Sequence, residues 1–360
     1  MNRPLNGVYT ASLTPLTASF EPNLPALVRH AQWLLESGSD GVVLLGSTGE
    51  ANSLTIEQRL AIIELSAKKL PTDRLMMGTG SCALQDAVHL TKASIDAGVY
   101  TVLVLPPFYY KPQSDKSVLR FFSELISIVD DPRLRIIFYN FPKLSGYNFN
   151  VKILQELKQR FGDIAAGIKD SSGEWKNMLG IVQNIPDFMV YTGTETLLLD
   201  ILKKGGAGCI TATANLIAPE CQRVYQAWRN NKQKVAEQAQ MNLTDLRNTL
   251  ENYPLVSELK SLFASETNAE EWENMLPPFA PILDKQKKLI NFLILDKNYN
   301  NIKIINRDIL NIIEENNLEK NIIVFGNLPY NASTKILASL ILLKKWPPWY
   351  EILILMFQKE

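Results

Sequence analysis

The sequence predicts an α/β chain built on a (β/α)8 TIM barrel with added C-terminal helices, followed by a short segment of separate character. Three observations predict it. Eight short apolar runs alternate with amphipathic stretches over about 215 residues, the repeat that eight βα units require. No GxGxxG follows the first run, which argues against the rival doubly wound open sheet. Composition then changes near residue 283: residues 284–360 hold 11 Asn, 14 Ile and one glycine, Gly326, against 17 Asn, 17 Ile and 17 Gly in residues 1–283. Pro277, Pro278 and Pro281 mark the seam, which places the domains at 1–283 and 284–360.

The expected strands are Val8–Ala11, Gly41–Leu45, Leu75–Gly80, Thr101–Leu105, Arg135–Asn140, Ala165–Lys169, Met189–Gly193 and Gly208–Thr213. Runs of four to six residues rich in Val, Ile and Leu suit strands covered on both faces. Between them lie helical patterns such as Thr55–Leu70, where Ile56, Leu60, Ile63, Ala67 and Leu70 share a face and Thr55 with Gln58 forms a capping box. Three more helices are expected near 219–229, 232–251 and 254–265.

Composition excludes several classes of function. Lys+Arg and Asp+Glu are 37 each, so no field steers the chain to nucleic acid. Cys82, Cys209 and Cys221 show no CxxC spacing, which fits reduced thiols in a cytoplasm and not a zinc site or a disulfide framework. No leader pattern and no membrane-length apolar run is present. The two histidines, His30 and His89, fall in helical stretches and read as ordinary helix residues, so a His-based triad or multi-His metal site is not expected, and no cofactor or metal is implied.

Functional residues of such a barrel collect at the C-terminal strand ends. Strand 2 ends in Gly46-Ser47-Thr48-Gly49-Glu50, strand 5 in Tyr139-Asn140-Phe141-Pro142, strand 6 in Lys169-Asp170, strand 7 in Thr192-Gly193-Thr194-Glu195, and strand 8 in Ile210-Thr211-Ala212-Thr213. A lysine in a barrel mouth is buried, burial disfavours the ammonium form, and a neutral amine attacks a ketone. Tyr139 supplies a phenol for the proton transfers. The Gly46–Gly49 turn offers backbone N–H groups and the hydroxyls of Ser47 and Thr48 to a carboxylate. Together they describe a pocket for a small 2-keto acid.

Residues 1–283 resemble the dihydrodipicolinate synthase / N-acetylneuraminate lyase family through GSTGE at 46–50, YNFP at 139–142, GIKDSSG at 167–173 and GGAGCITATAN at 205–215. The resemblance implies that Lys169 forms an imine with pyruvate and that Tyr139 relays protons with Thr48. It implies that Ser47 and Thr48 bind the pyruvate carboxylate, that Gly193 and the Ile210 carbonyl line the pocket, and that Tyr109 enters a neighbour's active site in a homodimer or homotetramer. The family's synthases carry an arginine two residues after YNxP to grip the aldehyde's carboxylate; here Leu144 stands there, with Lys143 beside it. Losing a bidentate clamp is not conservative. The expectation is therefore a sugar-acid aldolase of the 2-keto-3-deoxygluconate or N-acetylneuraminate lyase type, with 4-hydroxy-tetrahydrodipicolinate synthase as the alternative and a catalytically silent 2-keto-acid-binding barrel as the non-enzyme reading.

Residues 284–360 carry Asn306-Arg307-Asp308 and, after an expected strand Ile322–Phe325, Asn327-Leu328-Pro329-Tyr330. This stretch resembles the middle of the rRNA adenine dimethyltransferases, a partial Rossmann-like methyltransferase fragment. The resemblance makes Asp308 an adenine contact of S-adenosylmethionine, and Asn327, Pro329 and Tyr330 a cradle for the target base. The family's first strand and glycine-rich loop are missing, so these residues form a vestigial motif with no cofactor and no nucleic-acid partner expected.

Overall fold

The computed structural model describes residues 5–250, 254–267, 269–282 and the two segments 322–328 and 350–357. Eight parallel strands close into a barrel in sequence order: β1 Gly7–Ala11, β2 Gly41–Leu44, β3 Leu75–Gly78, β4 Thr101–Val104, β5 Arg135–Asn140, β6 Ala165–Asp170, β7 Met189–Thr192 and β8 Gly208–Thr211. The ring closes by pairing Val8 with Cys209 and Tyr9 with Ile210. Helices α1 Leu24–Glu36, α2 Ile56–Lys69, α3 Leu84–Asp96, α4 Asp115–Val129, α5 Val151–Phe161, α6 Trp175–Asn184, α7 Leu198–Lys203 and α8 Ala214–Arg229 follow the strands in turn. α9 Gln233–Leu250 and α10 Leu255–Thr267 come after. No helix among the described residues is long and apolar enough to cross a membrane.

Strand alternation sorts the core into two layers. In β5, Ile137 and Tyr139 point into the ring, where they join Tyr9, Val43, Leu103 and Ile210. Ile136 and Phe138 point outward beneath α4, α5 and α6. There Phe138 and Phe122 meet edge to face with ring centres 4.8 Å apart, a favoured aromatic geometry.

β6 breaks the alternation. Its pairing with β5 steps from Ile136–Ala165 to Ile137–Gly167, so one extra residue bulges out. Ala165 and Ile168 both join the outer layer, while Ala166 faces inward. Gly167 fits because a Cβ there would come within 2.3 Å of the Met189 carbonyl oxygen.

Most expected strands overshoot at their C-terminal ends. β2, β3, β4, β7 and β8 stop one or two residues early because the chain turns sharply into its loop; Leu45, at φ 58°, already lies in the left-handed region. The Thr55/Gln58 capping box forms as expected, with the Gln58 N–H donating to the Thr55 hydroxyl at 3.2 Å and the Thr55 N–H to Gln58 Oε1 at 2.9 Å. The buried face of α2 is rotated from the expected one, however. Arg59, Ile62, Ile63 and Ser66 are buried, whereas Ile56, Leu60 and Ala67 are half-buried. Arg59 earns its interior place by donating to the carbonyls of Gly78 and Gly80, at 3.2 and 3.0 Å, which the apolar periodicity cannot show. α8 starts at Ala214, five residues before the expected start, because Asn215 bonds back to the Ala11 and Ala212 carbonyls and Pro219 is accommodated past a kink at Ile217.

His30 is a buried helix residue that bonds Asn215 at 2.8 Å, and burial lowers its pKa to about 4 against the Asn215 hydrogen bond. Glu258 on α10 is fully buried with both carboxyl oxygens unpartnered among the described residues, and burial pushes its pKa up to about 8 against the pull of Arg247. A carboxyl whose folded pKa is raised contributes stability that is complete below its unfolded value of 4.5 and lost as pH rises through about 8. His30, with its folded pKa depressed, adds no slope above 6.5. Thermal unfolding between pH 6.5 and 8 is therefore expected to show a midpoint that falls with pH, and Glu258→Gln to flatten that fall. Equal slopes for the two proteins would refute the assignment.

The chain divides into two compact units, residues 1–298 and 299–360. In the second, β9 Ile322–Leu328 pairs in parallel with β10 Tyr350–Phe357. The expected strand Ile322–Phe325 thus runs three residues further, and Asn327 lies within it, opposite Met356, instead of following it. Asp308, Pro329 and Tyr330 lie outside the described residues.

Candidate active site

The strand-end residues gather round a cavity of about 530 Å³ at the C-terminal mouth of the ring. Tyr139 and Lys169 are direct partners in the β5–β6 register, and that pairing sets the lysine inward beside the tyrosine. Lys169 Nζ sits 4.3 Å from the centre of the Tyr139 ring, and Lys169 is only 5% exposed. No hydrogen-bond or ion-pair partner engages that amine among the described residues. It is a buried nitrogen whose free side opens on the cavity.

The next residue is fixed as firmly as Lys169 is free. Asp170 Oδ1 accepts from the Ser172 N–H at 2.8 Å and from the Ser172 hydroxyl; Oδ2 accepts from Asn140 Nδ2 at 3.0 Å. These bonds tie the ends of β5 and β6 to the loop after Lys169 and so set the direction of the lysine stem. The Gly193 N–H donates to the Asp170 carbonyl at 2.6 Å, and a Cβ on Gly193 would strike Ser171 Oγ at 2.0 Å. Glycine is required there by close approach.

The Gly46–Glu50 segment is a tight turn that commits the N–H groups of its last two residues. Those of Gly49 and Glu50 donate to the carbonyls of Gly46 and Ser47 at 3.1 and 3.2 Å, and that of Ala51 to Gly46 at 3.4 Å. The Gly49 and Glu50 N–H groups are thus bonded within the turn, and Ser47 and Thr48 stand at the cavity wall. The turn is anchored from outside. The Thr14 hydroxyl donates to the Gly49 carbonyl at 2.8 Å, Glu50 Oε2 accepts the Leu276 N–H at 2.6 Å, and Glu50 Oε1 is ion-paired with Lys260 Nζ. Both side chains of that pair are fully buried, and burial pulls the Lys260 ammonium below its usual range against the raising effect of Glu50.

Of the residues expected in the site, Ser47, Thr48, Tyr139, Leu144, Lys169 and Gly193 line the cavity. The Ile210 side chain lies in the interior layer, fully buried, and Tyr109 stands on the surface, 76% exposed and edge-on to Tyr110 at 5.1 Å. The structure also brings in groups that sequence reading left without a role. Arg247 of α9 joins the wall, and its Nη1 donates to Glu195 Oε2 at 3.3 Å, Thr213 Oγ1 at 3.2 Å and Thr211 Oγ1 at 3.4 Å. Glu195 is fully buried and also accepts from both threonine hydroxyls. No local pattern marks the pair in the sequence, where Arg247 stands among Thr244, Asp245, Asn248 and Thr249.

Comparison with known proteins shows the family. Residues 4–296 match the family model described as the dihydrodipicolinate synthetase family. A DapA-like lyase of Chloroflexus aurantiacus is 30% identical over 250 residues, covering 69% of this chain and 83% of the relative. The 4-hydroxy-tetrahydrodipicolinate synthase of Oceanobacillus iheyensis is 32% identical over 237 residues, 65% of this chain and 78% of the relative. Among solved structures, YagE of E. coli K12, a prophage protein in complex with pyruvate, superposes with a TM-score of 0.74 at 25% identity, covering 81% of this chain and 97% of that one. With an amine at the end of β6 inside the same barrel, and with these matches, the chain belongs to the dihydrodipicolinate synthetase family of pyruvate-dependent lyases.

Proposed function

We propose that the chain is a class I aldolase that makes or breaks a carbon–carbon bond between pyruvate and an aldehyde through an imine on Lys169, with a sugar-acid aldolase as the specific type. The observation that carries this reading is the buried Lys169 amine, 4.3 Å from the Tyr139 ring centre and open to the cavity. The neutral amine adds to C2 of pyruvate, the carbinolamine loses water, and the imine loses a C3 proton to become an enamine. The enamine attacks the aldehyde carbon, the aldehyde oxygen takes up a proton, and water releases the product and the amine. Tyr139, with Thr48, shuttles these protons. Ser47 and Thr48 hold the pyruvate carboxylate, Gly193 keeps the wall flush, and the Ile210 carbonyl closes the pocket floor.

Leu144 lines the cavity at 44% exposure and offers no charge to a second carboxylate, which favours an uncharged aldehyde. The 4-hydroxy-tetrahydrodipicolinate synthase reading, with aspartate semialdehyde as the partner, is favoured in turn by the names of several relatives. Exposed Tyr109 suits a role in a neighbouring subunit's site, within a cytoplasmic homodimer or homotetramer. The barrel domain in this reading is residues 1–283, and 284–360 is a methyltransferase-like fragment without activity of its own.

Incubation with pyruvate and borohydride tests the proposal: peptide mass spectrometry is expected to find the reduced adduct on Lys169. An adduct on another lysine, or none on folded protein, would defeat it. Aldehyde use by a panel of hydroxylated and acidic aldehydes then separates aldolase from synthase.

A further inference from the structure

A second cavity, of about 540 Å³, lies between α1 and α10 and shares no lining residue with the one at Lys169. Its walls are largely rings. α1 contributes His30 and Trp33, one turn apart; α10 contributes Phe263, and the turn at Glu270–Trp272 contributes Trp272. The His30 ring centre lies 5.0 Å from that of Phe263 and 4.8 Å from that of Trp272, both edge-on, and 5.8 Å from that of Trp33, stacked. Three of these side chains are buried, while Trp33 is 43% exposed and leaves its wall open to a ligand. The charges at the rim cancel, since Arg29 and Glu271 pair there at 3.6 Å.

The polar feature of the cavity is one nitrogen of His30. Asn215 Oδ1 can only accept, and it takes both the Leu13 N–H and His30 Nε2, while Asn215 Nδ2 donates to the carbonyls of Ala11 and Ala212. The proton of the neutral imidazole is therefore on Nε2, and Nδ1 holds a lone pair. Burial, which lowers the His30 pKa to about 4, keeps the ring in that form at neutral pH. No hydrogen-bond donor reaches Nδ1 among the described residues, although His30 is only 6% exposed. A buried acceptor left without a donor is costly.

We propose that this cavity binds a small, uncharged, planar aromatic molecule carrying one N–H or O–H donor, of the indole or phenol class, with its ring among Trp33, Phe263 and Trp272 and its donor on His30 Nδ1. The volume falls in the range of small-molecule sites. The rings offer stacked and edge-on contacts, the lone pair calls for a donor, and the balanced rim calls for no charge. The site is independent of the chemistry at Lys169.

Calorimetric titration of the full chain with indole and with benzofuran tests the proposal, because benzofuran has the same shape but an acceptor oxygen in place of the N–H. Indole is expected to bind once per chain with a Kd of about 0.1–1 mM, the scale for a fragment of that size, and roughly 10-fold more tightly than benzofuran. Trp33→Ala is expected to weaken indole by at least about fivefold while leaving borohydride trapping of pyruvate on Lys169 unchanged. His30→Phe keeps a ring but drops the lone pair, and is expected to bring the two ligands within about twofold of each other; Asn215 still holds the Leu13 N–H. Should that variant not fold, the parent's preference and Trp33→Ala decide, since half-exposed Trp33 can be trimmed without opening the core. No indole binding by the parent, equal binding of benzofuran, or undiminished binding by Trp33→Ala would overturn the inference. So would a Trp33→Ala variant that sediments as a smaller assembly than the parent, which would show a second copy of the chain covering this face.

Discussion

Lys169→Met is expected to lower kcat/KM for pyruvate-dependent aldol turnover on the order of 10⁴-fold or more, because removing the nucleophile leaves no route to the enamine. The substitution suits the fold. Lys169 is 5% exposed, lies inward against the Tyr139 ring and makes no hydrogen bond among the described residues, so a methionine of similar length removes a costly buried amine and strands no partner. The thermal midpoint should hold or rise while activity disappears. Tyr139→Phe should retain borohydride trapping but slow turnover about 10²- to 10⁴-fold, the range for a single proton-transfer group. Turnover by Lys169→Met within tenfold of the parent would rule out the imine pathway.

Lys260→Met is expected to have the largest effect on stability, a loss of about 3–5 kcal/mol in denaturant unfolding. Its ammonium is fully buried between Glu50 and the Asn274 carbonyl, which it reaches at 2.9 Å. Taking it away leaves the Glu50 carboxylate buried in the Gly46–Glu50 turn with only the Leu276 N–H to compensate. The damage should therefore reach function as well, through the placement of Ser47 and Thr48, and appear as a raised KM for pyruvate. Glu50→Gln/Lys260→Met, with neither charge, should recover much of the stability, since what costs most is the unpaired ion. A single Lys260→Met variant as stable as the parent would show that the pair is dispensable.

The parts of the site that were legible in the sequence share one property: each is a local pattern. The Thr55/Gln58 box reads from a three-residue spacing, and Tyr139 and Lys169 read from their places at the ends of apolar runs. What was not legible depends on pairing between distant positions. Nothing near Glu50 announces Lys260, and nothing near Glu195 announces Arg247, because only barrel closure and the packing of α9 and α10 bring them together. The α2 face was misread for the same reason, since Arg59 is buried by carbonyls of another strand's end. Leu144 reads from the family resemblance and Ser47 from its hydroxyl in the Gly46–Gly49 turn, and both line the cavity.

In the run Ala165-Ala166-Gly167-Ile168 no residue declares which side of the sheet it prefers, so the orientation of Lys169 depends on its partner across the ladder, Tyr139. The additional residue in β6 lies before the paired run that carries Lys169. Delete Ala166, and the ladder closes up with the same partners, Ala165 on Ile136, Gly167 on Ile137, Ile168 on Phe138 and Lys169 on Tyr139, so the lysine still faces the mouth and Ile168 still packs under α5 and α6. Anyone grafting this catalytic strand into another ring must therefore copy its register against the tyrosine strand as well as its lysine.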